Sequence, residues 1–360
     1  MSKALPAAAV SVMVVDDSAI VRGLITRTLK SDPRIEVVAS CSNGAMAVAQ
    51  AARRSLDIII LDIEMPVMDG LTALPKLQQA NPGARIIMAS TLTQRNAAIS
   101  LRAMALGAAD YIAKPTTDRL NASKEFHREL ISKVIALGQS KSLQYLADGP
   151  SCPPAITHIA ARSGIVRQPR IIAIGSSTGG PQALLTLLGA LSPTVTCPIV
   201  IAQHMPATFT TVLAQHIERA SCRPTIEAAE GMEIKPGHIY LAPGDYHFEV
   251  ARKGAGFAAR LSQTAPQNYC RPSVDPLFHS VAQLFGPESC AVMLTGMGSD
   301  GCGGARAIAA AGAPVIAQDQ ATSVVWGMPG AVAHAGICSA ILPLPKIAGH
   351  LASLFERVAA

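Results

Sequence analysis

Three acids and a lysine stand at the ends of short apolar runs in the first third of the chain. Asp16 and Asp17 follow the run at 11–15, Asp62 follows 57–61, and Lys114 follows 109–113, with Ser90 after 85–89. Clustered carboxylates repel one another unless a cation neutralises them, and an all-oxygen donor set suits Mg²⁺. A carboxylate held beside such an ion can act as a nucleophile toward a phosphoryl group. Lys114 would neutralise the arriving charge, and the Ser90 hydroxyl would donate to one of its oxygens. Acids at strand ends also serve as helix caps and turn residues. The Asp-Asp pair, the Asp in Leu-Asp-Ile-Glu-Met-Pro and the Lys-Pro, in that order, favour the acidic pocket.

A second set of reactive residues lies beyond residue 170. Gly175-Ser-Ser-Thr-Gly-Gly180 separates an apolar run from a helical one, placing Ser177 at the centre of a Gly-x-Ser-x-Gly pattern. The turn exposes a hydroxyl, and the helix N-terminus favours negative charge developing beside it. Such turns also cradle phosphate, so the motif alone leaves both readings open. His204 in Gln-His-Met-Pro follows the next apolar run, and Asp300 in Thr-Gly-Met-Gly-Ser-Asp-Gly follows a later one. Serine, imidazole and carboxylate at the carboxyl ends of strands in one sheet supply a nucleophile, its base and the group that orients the base. The order Ser…His…Asp differs from the Ser…Asp…His of α/β-hydrolases, so the motif does not import that fold.

Positioning these groups requires α/β architecture. Residues 11–15, 37–40, 57–61, 85–89 and 109–113 read as five strands, rich in β-branched residues, with helical periodicity between them. The alternation predicts a parallel sheet covered on both faces, with function gathered beyond the carboxyl ends of its strands. A helix over 121–137 closes the unit. Periodicity then fades from about 138 to 169, which reads as a linker with some helical start. A second α/β pattern begins at Arg170, with strands expected at 171–175, 199–203 and 291–295 and a helix at 181–191. Pro and Gly punctuation at 231–245 suggests a hairpin or turn region. The expected division is 1–118, a helix and linker at 119–168, and 169–360.

Bulk composition agrees. A chain of 360 residues, 49% hydrophobic and 15% charged, holds enough apolar material for two cores. Mean hydropathy is +0.32, yet no stretch approaches the ~18 uninterrupted apolar residues of a spanning helix. Lys3 and the apolar residues after it resemble a signal peptide, but Asp16 and Asp17 follow at once, which fits a buried strand better. The eight cysteines form no CxxC pair and read as small buried hydrophobes of a cytoplasmic protein. Net charge is +6, with basic residues mildly concentrated from 124 to 170 and no aromatic interleaving. That pattern is a solvated face and linker rather than a nucleic-acid site.

Val-Val-Asp-Asp-Ser, Leu-Asp-Ile-Glu-Met-Pro-Val-Met-Asp-Gly and Tyr-Ile-Ala-Lys-Pro resemble the signature of response-regulator receiver domains over residues 11–118. The resemblance implies a (βα)5 fold with Asp62 as phospho-acceptor. Asp16, Asp17 and Asp62 would bind Mg²⁺ with the Glu64 backbone carbonyl, Ser90 and Lys114 would sense the phosphoryl group, and Tyr111 would be the aromatic switch. Thr91 is the alternative to Ser90. Ile-Gly-Ser-Ser-Thr-Gly-Gly-Pro, Ala-Gln-His-Met-Pro, Arg-Pro-Ser-Val-Asp and Leu-Thr-Gly-Met-Gly-Ser-Asp-Gly, behind a receiver, resemble the chemotaxis protein-glutamate methylesterase family. That resemblance implies a doubly wound α/β esterase domain with Ser177 as nucleophile, His204 as base and then acid, and Asp300 orienting the imidazole. The Thr178 and Met297 backbone N–H groups would form the oxyanion hole. It further implies methyl-accepting chemotaxis receptors as substrates, deamidation of their glutamines, and a chemotaxis histidine kinase as phosphodonor. Ester hydrolysis would need no cofactor, and the unphosphorylated receiver would cover the cleft. Two positions depart from the family pattern: Ser176 where alanine is usual, and Cys270 where histidine is common. Arg271 and Asp275 read as a structural ion pair slightly ahead of a substrate contact. A receiver-linked hydrolase of some non-chemotaxis protein remains an alternative, as does a transcriptional regulator, although no helix-turn-helix pattern is visible.

Overall fold

The computed structural model describes residues 9–114, 120–147 and 167–356, with side chains in the middle stretch described for 124–138. The chain divides between Pro153 and Pro154 into two compact units.

The first unit alternates β1 (Val10–Val15), α1 (Ala19–Lys30), β2 (Ile35–Cys41), α2 (Gly44–Ala51), β3 (Ile58–Asp62), α3 (Gly70–Ala80), β4 (Arg85–Ser90), α4 (Gln94–Ala105), β5 (Asp110–Ala113) and α5 (Leu120–Ala147). The strands pair in parallel in the order β2-β1-β3-β4-β5. All five residues of β3 are buried, as expected of a central strand covered on both faces. Side chains set the helix starts. Ser18, Asn43, Asp69 and Thr93 each accept a backbone N–H of the following first turn. The five strands fall where periodicity placed them, within two residues. The closing helix runs ten residues beyond its expected end, to Ala147, so the first part of the expected linker is helical. Residues 148–166, including Cys152, and residues 1–8 lie outside the described residues, so the N-terminal and linker expectations there have no structural counterpart.

The second unit continues with β6 (Ile171–Ser176), α6 (Gly180–Gly189), β7 (Ile199–Gln203), α7 (Ala207–Ser221), β8 (Thr225–Glu227), β9 (Ile239–Leu241), β10 (His247–Lys253), β11 (Gly256–Ser262) and α8 (Val274–Phe285). It closes with β12 (Ser289–Met293), α9 (Cys302–Ala310), β13 (Val315–Gln318), α10 (Met328–His334), β14 (Ala340–Leu342) and α11 (Leu344–Glu356). Seven strands form one sheet in the order β14-β13-β12-β6-β7-β9-β8, and each neighbouring pair in it is parallel. From β6 the chain winds outward through β7, then returns to β12 on the other side, so the topological switch lies between β6 and β12. Open α/β sheets place ligands at that point, beyond the carboxyl ends.

One face of the sheet, through Ala173, Val200, Ala202, Ala291 and Met293, packs on Leu277, Phe278 and Val281 of α8, on Ile308 of α9 and on Val332 of α10. Alternation along the strands turns the intervening residues, such as Ile172, Ile174 and Ile201, to the opposite face. Two expectations are corrected here. Residues 231–245 hold the expected turns but no hairpin; they also contain β9, a member of the main sheet, and the hairpin is β10–β11 just beyond. The strand expected at 291–295 lies two residues earlier, which leaves Thr295 in the loop. Among the described residues no helix is long and apolar enough to cross a membrane.

Candidate active site

In the first unit, β1 and β3 flank the switch of the strand order and deliver Asp16, Asp17 and Asp62 to one spot. One carboxylate oxygen from each lies within 4.8 Å of the others. Asp16 and Asp62 are buried. Lys114, from the end of β5, spans them at 2.7 Å from Asp16 Oδ2 and 2.6 Å from Asp62 Oδ1. Burial pushes the Asp62 carboxyl up to about 6; Lys114 acts against that shift, and the Asp16 charge adds to it. Three oxygen donors so close, neutralised by a single ammonium group, are a donor set suited to a hard divalent cation.

Ser90 is buried and accepts the Ser100 hydroxyl at 3.2 Å, whereas Thr91 is exposed and accepts Asn96 Nδ2. The Glu64 side chain is exposed just beyond β3. Tyr111 is buried beneath Lys133, whose Nζ donates to the Tyr111 carbonyl at 2.6 Å and lies 4.8 Å from the ring centroid. Lys133 also pairs with Asp110 and Glu129. Its role went unrecognised in the sequence because a lysine mid-helix gives no sign of which face it occupies.

In the second unit, the three central strands β12, β6 and β7 deliver the expected residues to the switch point. Ser177 follows β6 directly, and its N–H donates to the Thr295 carbonyl beyond β12. The Ser177 backbone is in an ordinary conformation; the left-handed residue of the turn is Gly179, with φ 76°. Gly180 opens α6, and its N–H donates to the Ser177 carbonyl. A Cβ at Gly296 would overlap Met328 Sδ and crowd Ser177, so the loop after β12 lies directly against the nucleophile turn only because that residue is glycine. Among the described residues, no acceptor is found for the Met297 N–H and no hydrogen-bond partner for the Ser177 hydroxyl. Thr178 is buried, and its carbonyl accepts the Thr295 hydroxyl.

Ser176 and Gln203 tie the serine and histidine turns together. The Ser176 hydroxyl donates to Gln203 Oε1 at 2.6 Å, and Gln203 Nε2 donates to the carbonyls of Ser177 and His204. The second hydroxyl of the Ser-Ser pair is therefore a buried structural group.

His204 Nε2 lies 2.7 Å from Asp300 Oδ2. The Asp300 carboxylate sits at the N-terminus of α8, where Oδ2 accepts the Val274 N–H. Oδ1 accepts the Ser273 hydroxyl, Asn268 Nδ2 and the Gly301 N–H. Ser273 occupies the N-cap position of α8 without capping its own helix; Asp300 supplies the acceptor instead. Burial opposes the charge on Asp300, but the imidazole and these donors outweigh it and hold the carboxyl well below its usual range. Burial likewise opposes a charge on His204. The Cys270 sulfur, 3.4 Å from Nδ1, and the Asp300 carboxylate overcome it and raise the imidazole to about 10.

The sequence of the second unit matches the CheB methylesterase family over residues 172–351, and that of the first matches the response regulator receiver domain over residues 12–123. A protein-glutamate methylesterase/protein-glutamine glutaminase of Paramagnetospirillum magneticum is 52% identical, the alignment covering 97% of each chain. Its counterpart in Rhodospirillum rubrum is 50% identical over 95% of this chain and 94% of the other. The chain belongs to the CheB methylesterase family. The catalytic domain of the CheB methylesterase of Thermotoga maritima superposes with a TM-score of 0.51 at 39% identity, covering 52% of this chain and 99% of that one.

Membership gives this methylesterase a receiver ahead of its esterase domain, and receivers in general are phosphorylated with Mg²⁺. The structure corrects one expectation at the site. Arg271 pairs with Asp245, its Nε 3.0 Å from Oδ1, and not with Asp275. Asp275 instead accepts the Gly304 N–H and Asn268 Nδ2. Asn268, Ser273 and Gln203 were missed as supporting residues. Gln203, next to the histidine, and Ser273, within Arg-Pro-Ser-Val-Asp, carried a sequence signal; Asn268 carried none.

Proposed function

We propose that Ser177, His204 and Asp300 hydrolyse γ-methyl esters of glutamate side chains on methyl-accepting chemotaxis receptors, and that phosphorylation of Asp62 raises the rate. The observation that carries this reading is the His204–Asp300 pair, held by the N-terminus of α8 on the strand next to Ser177. The Ser177 hydroxyl attacks the ester carbonyl and His204 accepts its proton. The N–H groups of Thr178 and Met297 receive the oxyanion, as backbone donors do in other acyl-transfer sites. His204 then returns the proton to the leaving methoxide, releasing methanol, and water attacks the acyl-serine by the same route. With a receptor glutamine the leaving group is ammonia. The chemistry uses this chain's own groups and no cofactor. The Ser177–His204 contact forms as substrate binds, since catalytic hydrogen bonds often tighten only in the complex.

In the receiver, Asp16, Asp17 and the Glu64 carbonyl would hold Mg²⁺ beside Asp62. The ion, when bound, offsets the acids and the incoming phosphoryl charge. Asp62 would attack the phosphorus carried on the histidine of a chemotaxis histidine kinase; the phosphorus–nitrogen bond breaks as the Asp62 oxygen–phosphorus bond forms, the kinase imidazole leaves, Lys114 pairs with the new charge, and Ser90 and Tyr111 respond to it. The expected domains are 1–118 and 169–360 in a cytoplasmic protein that binds no nucleic acid.

The test is methanol release from methylated receptor fragments, with and without a small-molecule phosphodonor and Mg²⁺. Release should rise on phosphorylation and fall by ~10⁴-fold or more in Ser177→Ala. Near-normal release in that variant would remove the nucleophile assignment. No release from receptor fragments, with turnover of other protein esters, would overturn the substrate assignment alone.

A further inference from the structure

Cys270 occupies the one imidazole nitrogen that the mechanism needs. Nε2 of His204 is committed to Asp300, so Nδ1 alone can take the serine proton, and the Cys270 sulfur lies 3.4 Å from it. The thiol is held there by a built loop. Gln267 and Cys270 exchange backbone hydrogen bonds at 3.1 and 2.8 Å. Between them Asn268 and Tyr269 adopt left-handed conformations, φ 50° and 64°. The Asn268 amide anchors the turn to Asp300 and Asp275, while Arg271 ties its far side to Asp245 and to the carbonyls of Gln263 and Thr264.

We propose that Cys270 is a positioning residue for His204: in the resting enzyme its sulfur shares the hydrogen bond at Nδ1 and withholds that nitrogen from Ser177. Substrate entry must displace the sulfur before the serine can be deprotonated. The inference rests on His204 being the base.

The charged and titratable groups around the pair support it. Asp300 faces Nε2, and Asp275 lies behind Asn268. The Arg271–Asp245 pair sits on the outer side of the loop. His247 is engaged on both nitrogens by uncharged groups, the Ser273 N–H and the Ala265 carbonyl. The nearest fixed charge is thus the Asp300 carboxylate, which favours a proton on the imidazole. Cys41, Cys197, Cys290 and Cys338 are buried, and burial pushes their thiols up, Cys197 to about 12. Cys270 is partly exposed and open to reagents.

The test is alkylation of the full-length protein by iodoacetamide between pH 5.5 and 9, read at each cysteine by mass spectrometry. The sulfur–carbon bond forms as the carbon–iodine bond breaks, iodide leaves, and His204 keeps the proton. An unperturbed thiol, near pKa 8.5, is ~1% thiolate at pH 6.5. A sulfur that has passed its proton to an adjacent imidazole reacts as a thiolate, though a somewhat less nucleophilic one. Cys270 should therefore react at least ~10-fold faster than the exposed Cys222 at pH 6.5. In His204→Asn that advantage should vanish. Equal rates at the two cysteines in the wild type, or an advantage that survives His204→Asn, would overturn the pair. These readouts need no ester substrate, so they stand apart from the substrate assignment. Where esterase activity is measured, the acid limb of kcat/KM against pH should move to lower pH in both Cys270→Ser and Cys270→Ala, since neither keeps the sulfur at Nδ1. An unmoved limb would show that the sulfur is merely structural.

Discussion

Replacing Asp300 with asparagine keeps the shape of the side chain and breaks its logic. The carboxylate accepts four hydrogen bonds at Oδ1, from Ser273, Asn268, Gly301 and, at 3.4 Å, the Asp275 N–H, and two at Oδ2, from the Val274 N–H and His204 Nε2. An amide has one accepting oxygen. Placed at Oδ1 it keeps four bonds and turns its NH₂ toward two donors; the reverse orientation sacrifices four donors and is worse. In the better orientation the buried Val274 N–H loses its acceptor, at about 1–3 kcal/mol. The imidazole can meet the NH₂ only as the other tautomer, with its proton on Nδ1. That nitrogen can then no longer take the serine proton. Asp300→Asn should therefore slow methanol release by ~10⁴-fold, as the corresponding change does in other serine triads. A loss of about 2 kcal/mol should lower the melting temperature of the catalytic unit by roughly 4–8 °C. Stopped-time methanol release and calorimetry on the same preparation separate the two effects. Turnover within tenfold of wild type, with the expected fall in melting temperature, would show that Asp300 braces α8 and does not set the tautomer.

Asp62→Asn should keep basal methanol release and lose stimulation by a phosphodonor; stimulation that persists would place the phosphate on another side chain. The raised His204 pKa carries a pH dependence of stability. The folded ring titrates at about 10, above the ordinary imidazole value of about 6.5, so its stabilisation is complete below about pH 6.5 and is lost as pH rises toward 10. Calorimetry should show the catalytic unit melting progressively lower across that window, with the slope flattened in His204→Gln; an unchanged slope would mean other groups set it. Lys133→Met removes the cation from a buried pair with Asp110 and should destabilise the receiver by roughly 3 kcal/mol in urea unfolding, with Asp110→Asn restoring part of the loss. A neutral result would mean that Asp110 and Tyr111 hold their positions without it.

What could be read from residue order was whatever sits at the end of a parallel strand. Asp16, Asp62, Lys114, Ser177 and His204 each lie within one or two residues of one, because parallel sheets deliver their carboxyl ends to a single edge. What could not be read depends on how a loop is pinned by distant packing. β9 was hidden among Pro and Gly because three residues suffice for a strand already paired on both sides. Arg271 and Asp275 read from the sequence as a structural ion pair. However, α8 begins only at Val274, so Arg271 precedes it and turns instead to Asp245. Asn268, Ser273 and Cys270 share this origin. They reach the site because the β10–β11 hairpin packs on α8, with the Val250 N–H on the Ser280 hydroxyl, which fixes where the following loop must run. In the sequence, Cys270 has no second cysteine nearby and reads as a small apolar residue. An imidazole 66 positions earlier changes that meaning. Strand ends supplied the reactive groups, while the loop between hairpin and helix determines which nitrogen of His204 is free and when. The protonation state of the base is therefore a property of residues 263–273 as much as of the motif that carries it.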